Sequence, residues 1–176
     1  MSTESELSTT SVLPSRAVGR RLLLSGLATV VLGVVSGLAW LWIAHPAEWE
    51  AREGGIVLTE AAARGQFSVI VVFVVIGLVV SLVGGWALVL AFPDLGWWTA
   101  PLVAVLTALA AVIAWRVGVE LGPPPPGSVT GAAVGDRIPS ELAIDSVAPF
   151  LVWPIFGLAG VMAATWACGR RRGQEV

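Results

Sequence analysis

The chain reads as an all-α membrane protein with four transmembrane helices, both termini cytoplasmic and two longer extracytoplasmic loops. Three observations predict this. Charged residues make up 12% of the chain and hydrophobic residues 56%, against about 25% charged in an ordinary soluble domain. The charges that exist are segregated, leaving four long apolar runs between them. Arginines cluster just before the first run and just after the last, which places both ends on the cytoplasmic side.

Residues 1–19 read as a disordered cytoplasmic tail, because MSTESELSTTSVLPS at its start is rich in Ser and Thr and offers little to bury. Residues 20–169 read as the four-helix transmembrane domain, with spans at about 22–44, 67–92, 97–119 and 147–168, and residues 170–176 as a cytoplasmic basic tail. Each span, at about 1.5 Å per helical residue, is long enough to cross roughly 30 Å of hydrocarbon. The first run follows Arg16, Arg20 and Arg21 as in a signal peptide. It is longer than the roughly 7–15 apolar residues of a cleavable one, so it reads as an uncleaved span.

Within the first span Ser25, Thr29, Gly33 and Gly37 recur every fourth residue, and Gly33–Gly37 is a GxxxG. Small residues on one stripe let helix backbones approach closely in lipid, either within the protein or against a partner helix; internal packing is the simpler use. Gly77, Ser81 and Gly85 form a second stripe, Ala100, Ala104 and Ala108 a third, and Gly160, Ala164 and Cys168 a fourth. The lone cysteine, Cys168, cannot form an internal disulfide and reads as a small packing residue.

The connections hold most of the polar residues. His45–Gln66 carries four Glu against two Arg, and Ile56–Ala63 reads as a short amphipathic turn at the membrane surface. Pro93-Asp94-Leu95-Gly96 reads as a tight turn that folds the second and third spans into an antiparallel hairpin. After Gly122 four prolines break the helix and favour a stiff, extended segment. Pro149 suits the first turn of the fourth span, whereas Pro154 falls inside it and predicts a kink near Trp153-Pro154.

With both ends inside, six arginines face the cytoplasm: Arg16, Arg20, Arg21, Arg170, Arg171 and Arg172. Arg52, Arg64 and Arg137 lie outside, with Arg116 just within the outer boundary. The nine tryptophans then fall into two belts. Trp40, Trp42, Trp49, Trp115 and Trp153 lie near the outer interface, and Trp86, Trp97, Trp98 and Trp166 near the inner one.

Candidate chemistry is sparse. Ionisable residues at membrane depth are the usual markers of transport paths, and the four runs hold only Arg116. Near the end of its span it can reach the interface and pair with Glu120 one turn on, as an anchor. Alternatively its planar fork can hold an anionic head group or substrate. His45 and Glu48 stand three apart but are too few for a metal site, and the chain has no second His. No catalytic motif is present, so neither a metal nor a cofactor is expected. A net charge of −2 excludes a basic nucleic-acid face.

Trp115-Arg116-x-Gly118-x-x-x-Gly122-Pro123, joined to Trp153-Pro154 in the fourth span, resembles the small four-pass membrane proteins of actinobacteria defined only as a conserved domain of unknown function. The likeness runs from about Trp40 to Trp166, and the use of Arg without Lys fits such organisms. It implies a location in the cytoplasmic membrane and transfers no catalytic residue. The expected partners are therefore the lipid bilayer and a membrane protein, met through small-residue helix faces or the outer loops. The expected function is that of a non-enzymatic accessory or scaffold subunit. The alternative is a small transporter or lipid/anion-binding protein using Arg116. The residues singled out are Gly33, Gly37, Trp115, Arg116, Gly118, Glu120, Trp153 and Pro154.

Overall fold

A computed structural model describes residues 16–44, 48–52, 55–57, 60–124, 137–139, 142, 144 and 146–174. Four long helices dominate: α1 (Arg16–Ile43), α2 (Glu60–Ala91), α3 (Thr99–Leu121) and α4 (Ala148–Gln174). Four stretches are apolar and long enough to cross a membrane, Gly19–Ile43, Phe67–Ala91, Leu95–Leu121 and Ala148–Arg170, the third starting in the 3-10 turn just before α3. These match the four expected spans to within a few residues. The flanks differ from expectation, because the arginine pairs extend the helices they border. Arg16–Gly19 already belongs to α1, and α4 carries the basic end as far as Gln174. The expected tail over residues 1–15, His45 and the middle of the proline-rich connection lie outside the described residues.

The helices are not paired in the order of the chain. α2 packs most extensively against α4, α1 against α3, and α3 against α4, while α1–α2 and α2–α3 touch far less. Helices α1 and α3 run parallel, with Gly33 set against Ala110 and Ile113, Gly37 against Ala114 and Val117, and Gly118 against Trp40. Helices α2 and α4 run parallel too, with Gly77 set against Trp153, Gly85 against Gly157, and Gly160 against Leu82 and Trp86. The bundle is thus two parallel pairs side by side, joined chiefly through α3 and α4. Apolar surface gains little by leaving lipid for protein, so close van der Waals packing at small residues decides which helices pair. Helices α2 and α3 do run antiparallel across a short linker, but they do not pack together as the arms of the expected hairpin. Its linker is a 3-10 helix over Pro93–Trp98, in which Gly96 adopts φ 54°, a conformation that suits glycine. The linker carries the chain across the diagonal of the bundle.

The other end of the bundle is not purely helical. Strands β1 (Glu48–Arg52), β2 (Gly55–Val57) and β3 (Arg137–Pro139) form an antiparallel sheet in the order β2-β1-β3. Ala51 pairs with Ile56 and Trp49 with Ile138, so the two long connections are joined to each other. The amphipathic turn expected over Ile56–Ala63 is therefore split: Ile56 and Val57 sit in β2, and Glu60 opens α2. Two β-branched residues beside a strand partner gain ladder hydrogen bonds that a surface turn does not offer. Beyond β3 the connection drops back onto the helices, where Leu142 is buried against the core and stands beside Gly122.

Candidate functional site

The singled-out residues separate into an interior group and a surface pair. The interior group belongs to an aromatic cluster near the sheet end of the bundle. Phe73 of α2 is its centre, with ring centroids 5.2 Å from Trp40 of α1, 5.4 Å from Phe150 and 5.6 Å from Trp153, both of α4. Trp115 of α3 joins through Phe150 at 5.8 Å, so all four helices contribute a ring. Trp40 and Trp153 are fully buried, so their rings pack inside the bundle near its sheet end. The cause is a glycine opposite each ring: a Cβ on Gly118 would strike Trp40, and one on Gly77 would strike Trp153. The slot over each glycine lets an indole lie in the core instead of at the headgroups.

The two indoles differ in polar satisfaction. Trp40 Nε1 donates to the Val69 carbonyl at 2.8 Å, which ties the end of α1 to the start of α2. Trp153 Nε1 meets no acceptor among the described residues, and neither does Ser81 Oγ, one turn beyond Gly77 on α2. Pro154 lies within α4, where its missing N–H deprives the Phe150 carbonyl of its helical donor. Pro149 sits in the first turn of that helix, as expected, behind a Ser146 hydroxyl that accepts from the Ala148 N–H at 3.3 Å. Trp42, Trp86, Trp97, Trp98 and Trp166 are exposed; Trp97 and Trp98 stack at 4.1 Å, and the Arg170 guanidinium lies 3.7 Å from the Trp166 ring. Cys168 is exposed and does not serve as the packing residue expected of it.

The surface pair is Arg116 and Glu120. Their side chains are 66% and 71% exposed, with Nη1 and Oε1 3.8 Å apart, and the guanidinium lies 5.1 Å from the Trp115 ring. An exposed pair of this kind contributes between nothing and about 1 kcal/mol. Among the described residues Arg116 is thus a largely exposed side chain paired with Glu120 one turn on, and it lines no described pocket. Among the described residues no charged side chain is buried, and no cluster of three His, Cys, Asp or Glu could hold a metal ion.

Phe73 and Phe150 are the cluster residues that sequence reasoning passed over. The one signal for Phe73 is that it is the sole aromatic between Phe67 and Trp86 in an aliphatic run. The arrangement is a rigid packing centre, and it presents no reactive group. No family model matches the chain, and no curated protein or solved structure does either.

Proposed function

We propose that this chain is a non-enzymatic accessory or scaffold subunit of a larger assembly in the bacterial cytoplasmic membrane, with both termini in the cytoplasm and the sheet outside. The observation that carries this reading is the pairing of both long connections into one sheet. That pairing turns two loops into a shaped surface whose flanking strands, β2 and β3, each leave one edge without a neighbour among the described residues. A strand from another chain can add to such an edge through backbone hydrogen bonds alone. The interior supports the same reading, since its buried polar groups are hydroxyls such as Thr29, Ser36 and Thr107, and a path for ions normally needs ionisable or strongly polar groups. The arginine bias and the likeness to four-pass actinobacterial proteins supply the proposed membrane and orientation.

Affinity purification of the tagged protein from its native membranes in a mild detergent tests the role. A companion membrane protein recovered in a fixed ratio is the expected result, and recovery of the chain without any protein companion would overturn the reading. Orientation is tested with a variant carrying Cys168→Ser and Gln174→Cys. A membrane-impermeant maleimide should label it only after the cells are opened. Labelling in intact cells would reverse the orientation.

A further inference from the structure

A cleft opens between α1 and α2 at the end that carries the chain termini. It encloses about 340 Å³. Its walls are almost wholly apolar, formed by small or aliphatic residues such as Ser25 and Ala28 on α1 and Gly84, Leu88 and Ala91 on α2. The cleft exists because α1 packs closely against α3 only from Gly33 onward, whereas a Cβ on Gly26 or Gly84 would meet nothing within 4 Å. Arg21 stands at its mouth, with its Nη1 3.5 Å from the Ala91 carbonyl, a contact at the outer limit of a hydrogen bond. Arg20 beside it is exposed. The segments that border this end of the bundle in sequence carry six arginines, Arg16, Arg20, Arg21, Arg170, Arg171 and Arg172, against four acids, Glu4, Glu6, Asp94 and Glu175.

We infer that this cleft is a binding site for an anionic phospholipid, one acyl chain lying between α1 and α2 and the headgroup phosphate held by Arg21. Three features select this occupant. An apolar slot of about 340 Å³ between two helices of membrane-spanning length accepts part of a hydrocarbon chain. The guanidinium fork matches phosphate oxygens two at a time. The excess of positive charge at this end favours an anionic headgroup over a zwitterionic one, as basic pockets between membrane helices do generally. The site differs in place and residues from the Arg116 position, and it does not depend on the scaffold reading.

The test is native mass spectrometry of the full chain released from nanodiscs that contain equal amounts of phosphatidylglycerol and phosphatidylcholine. The expected result is one retained phospholipid, with phosphatidylglycerol favoured about five-fold, the ratio that corresponds to about 1 kcal/mol for one basic residue at a membrane surface. Arg21→Ala should bring the two lipids to parity. Gly84→Phe, which projects a ring into open space, should abolish retention of both, and Ala28→Phe should do so from the opposite wall. Circular dichroism identifies whichever filling variant is folded, and the comparison is read from that one. Equal retention of the two lipids by the unaltered chain would overturn the inference. So would unchanged retention in a folded filling variant, or the release of a protein companion in place of lipid.

Discussion

Gly85→Ala is expected to force α2 and α4 apart, while Gly84→Ala, one residue earlier, leaves the bundle intact. The added methyl group is the same in both, so the difference lies in what it meets. At Gly84 the new carbon points into open space, but at Gly85 it runs into the backbone of Gly157, with the carbonyl carbon at 2.9 Å. A backbone neighbour cannot swing aside as a side chain can. Nor can Gly157 retreat, because a Cβ there would already lie 2.9 Å from Thr107 Cγ2 and 3.1 Å from Val103 Cγ1 of α3. Three helices therefore meet around this point with nothing between them that yields. Overpacking of this kind costs about 1–3 kcal/mol, and more where the backbone must move. Gly84→Ala should leave stability level or raise it slightly, since Ala is a better helix former than Gly. Denaturant titration in mild detergent, followed by circular dichroism, separates the two variants. Equal midpoints would show that α2 and α4 do not meet at Gly85.

The same contrast explains what was legible in the sequence. The spans were legible, because a run such as Phe67–Ala91 without a charge has one stable environment. The glycines of the small-residue stripes were legible as close contacts, with Gly33 and Gly37 facing α3 as an internal seam, whereas Cys168 of the fourth stripe is exposed. Which stripes face each other was not legible, because every span carries one and a short linker favours the wrong partner. Pro93–Trp98 joins α2 to α3, yet α2 finds its seam on α4. The sheet was half legible. The register Arg52↔Gly55 leaves a two-residue link ending in Gly54, a hairpin signal, but the pairing of Trp49 with Ile138 spans about half of the chain. The burial of Trp40 and Trp153 was not legible, for a physical reason. An indole near a span end prefers the headgroups only when no glycine opens a slot for it, and Gly118 and Gly77 stand on other helices.

Those two slots lead to the second large effect. Trp40→Ala should destabilise the protein by about 3–5 kcal/mol, the usual cost of emptying a buried aromatic site. The ring fills the space over Gly118, packs edge-on against Phe73 at 5.2 Å and holds α2 through the Val69 carbonyl. A phenylalanine scan divides this cost. Trp40→Phe keeps an aromatic ring against Phe73 but removes the 2.8 Å hydrogen bond. Trp153→Phe also keeps a ring in the cluster, and there the lost N–H had no acceptor among the described residues. Both changes remove the same volume from a fully buried site. The excess cost of Trp40→Phe over Trp153→Phe therefore reports the hydrogen bond, expected at about 0.5–1.5 kcal/mol. Unfolding midpoints of the two variants, read by circular dichroism in the same detergent, give that difference directly. If Trp153→Phe proves the costlier, the Trp153 indole N–H must be bonded in the native protein. The geometry around Gly77 would then have to place an acceptor that the present packing does not supply.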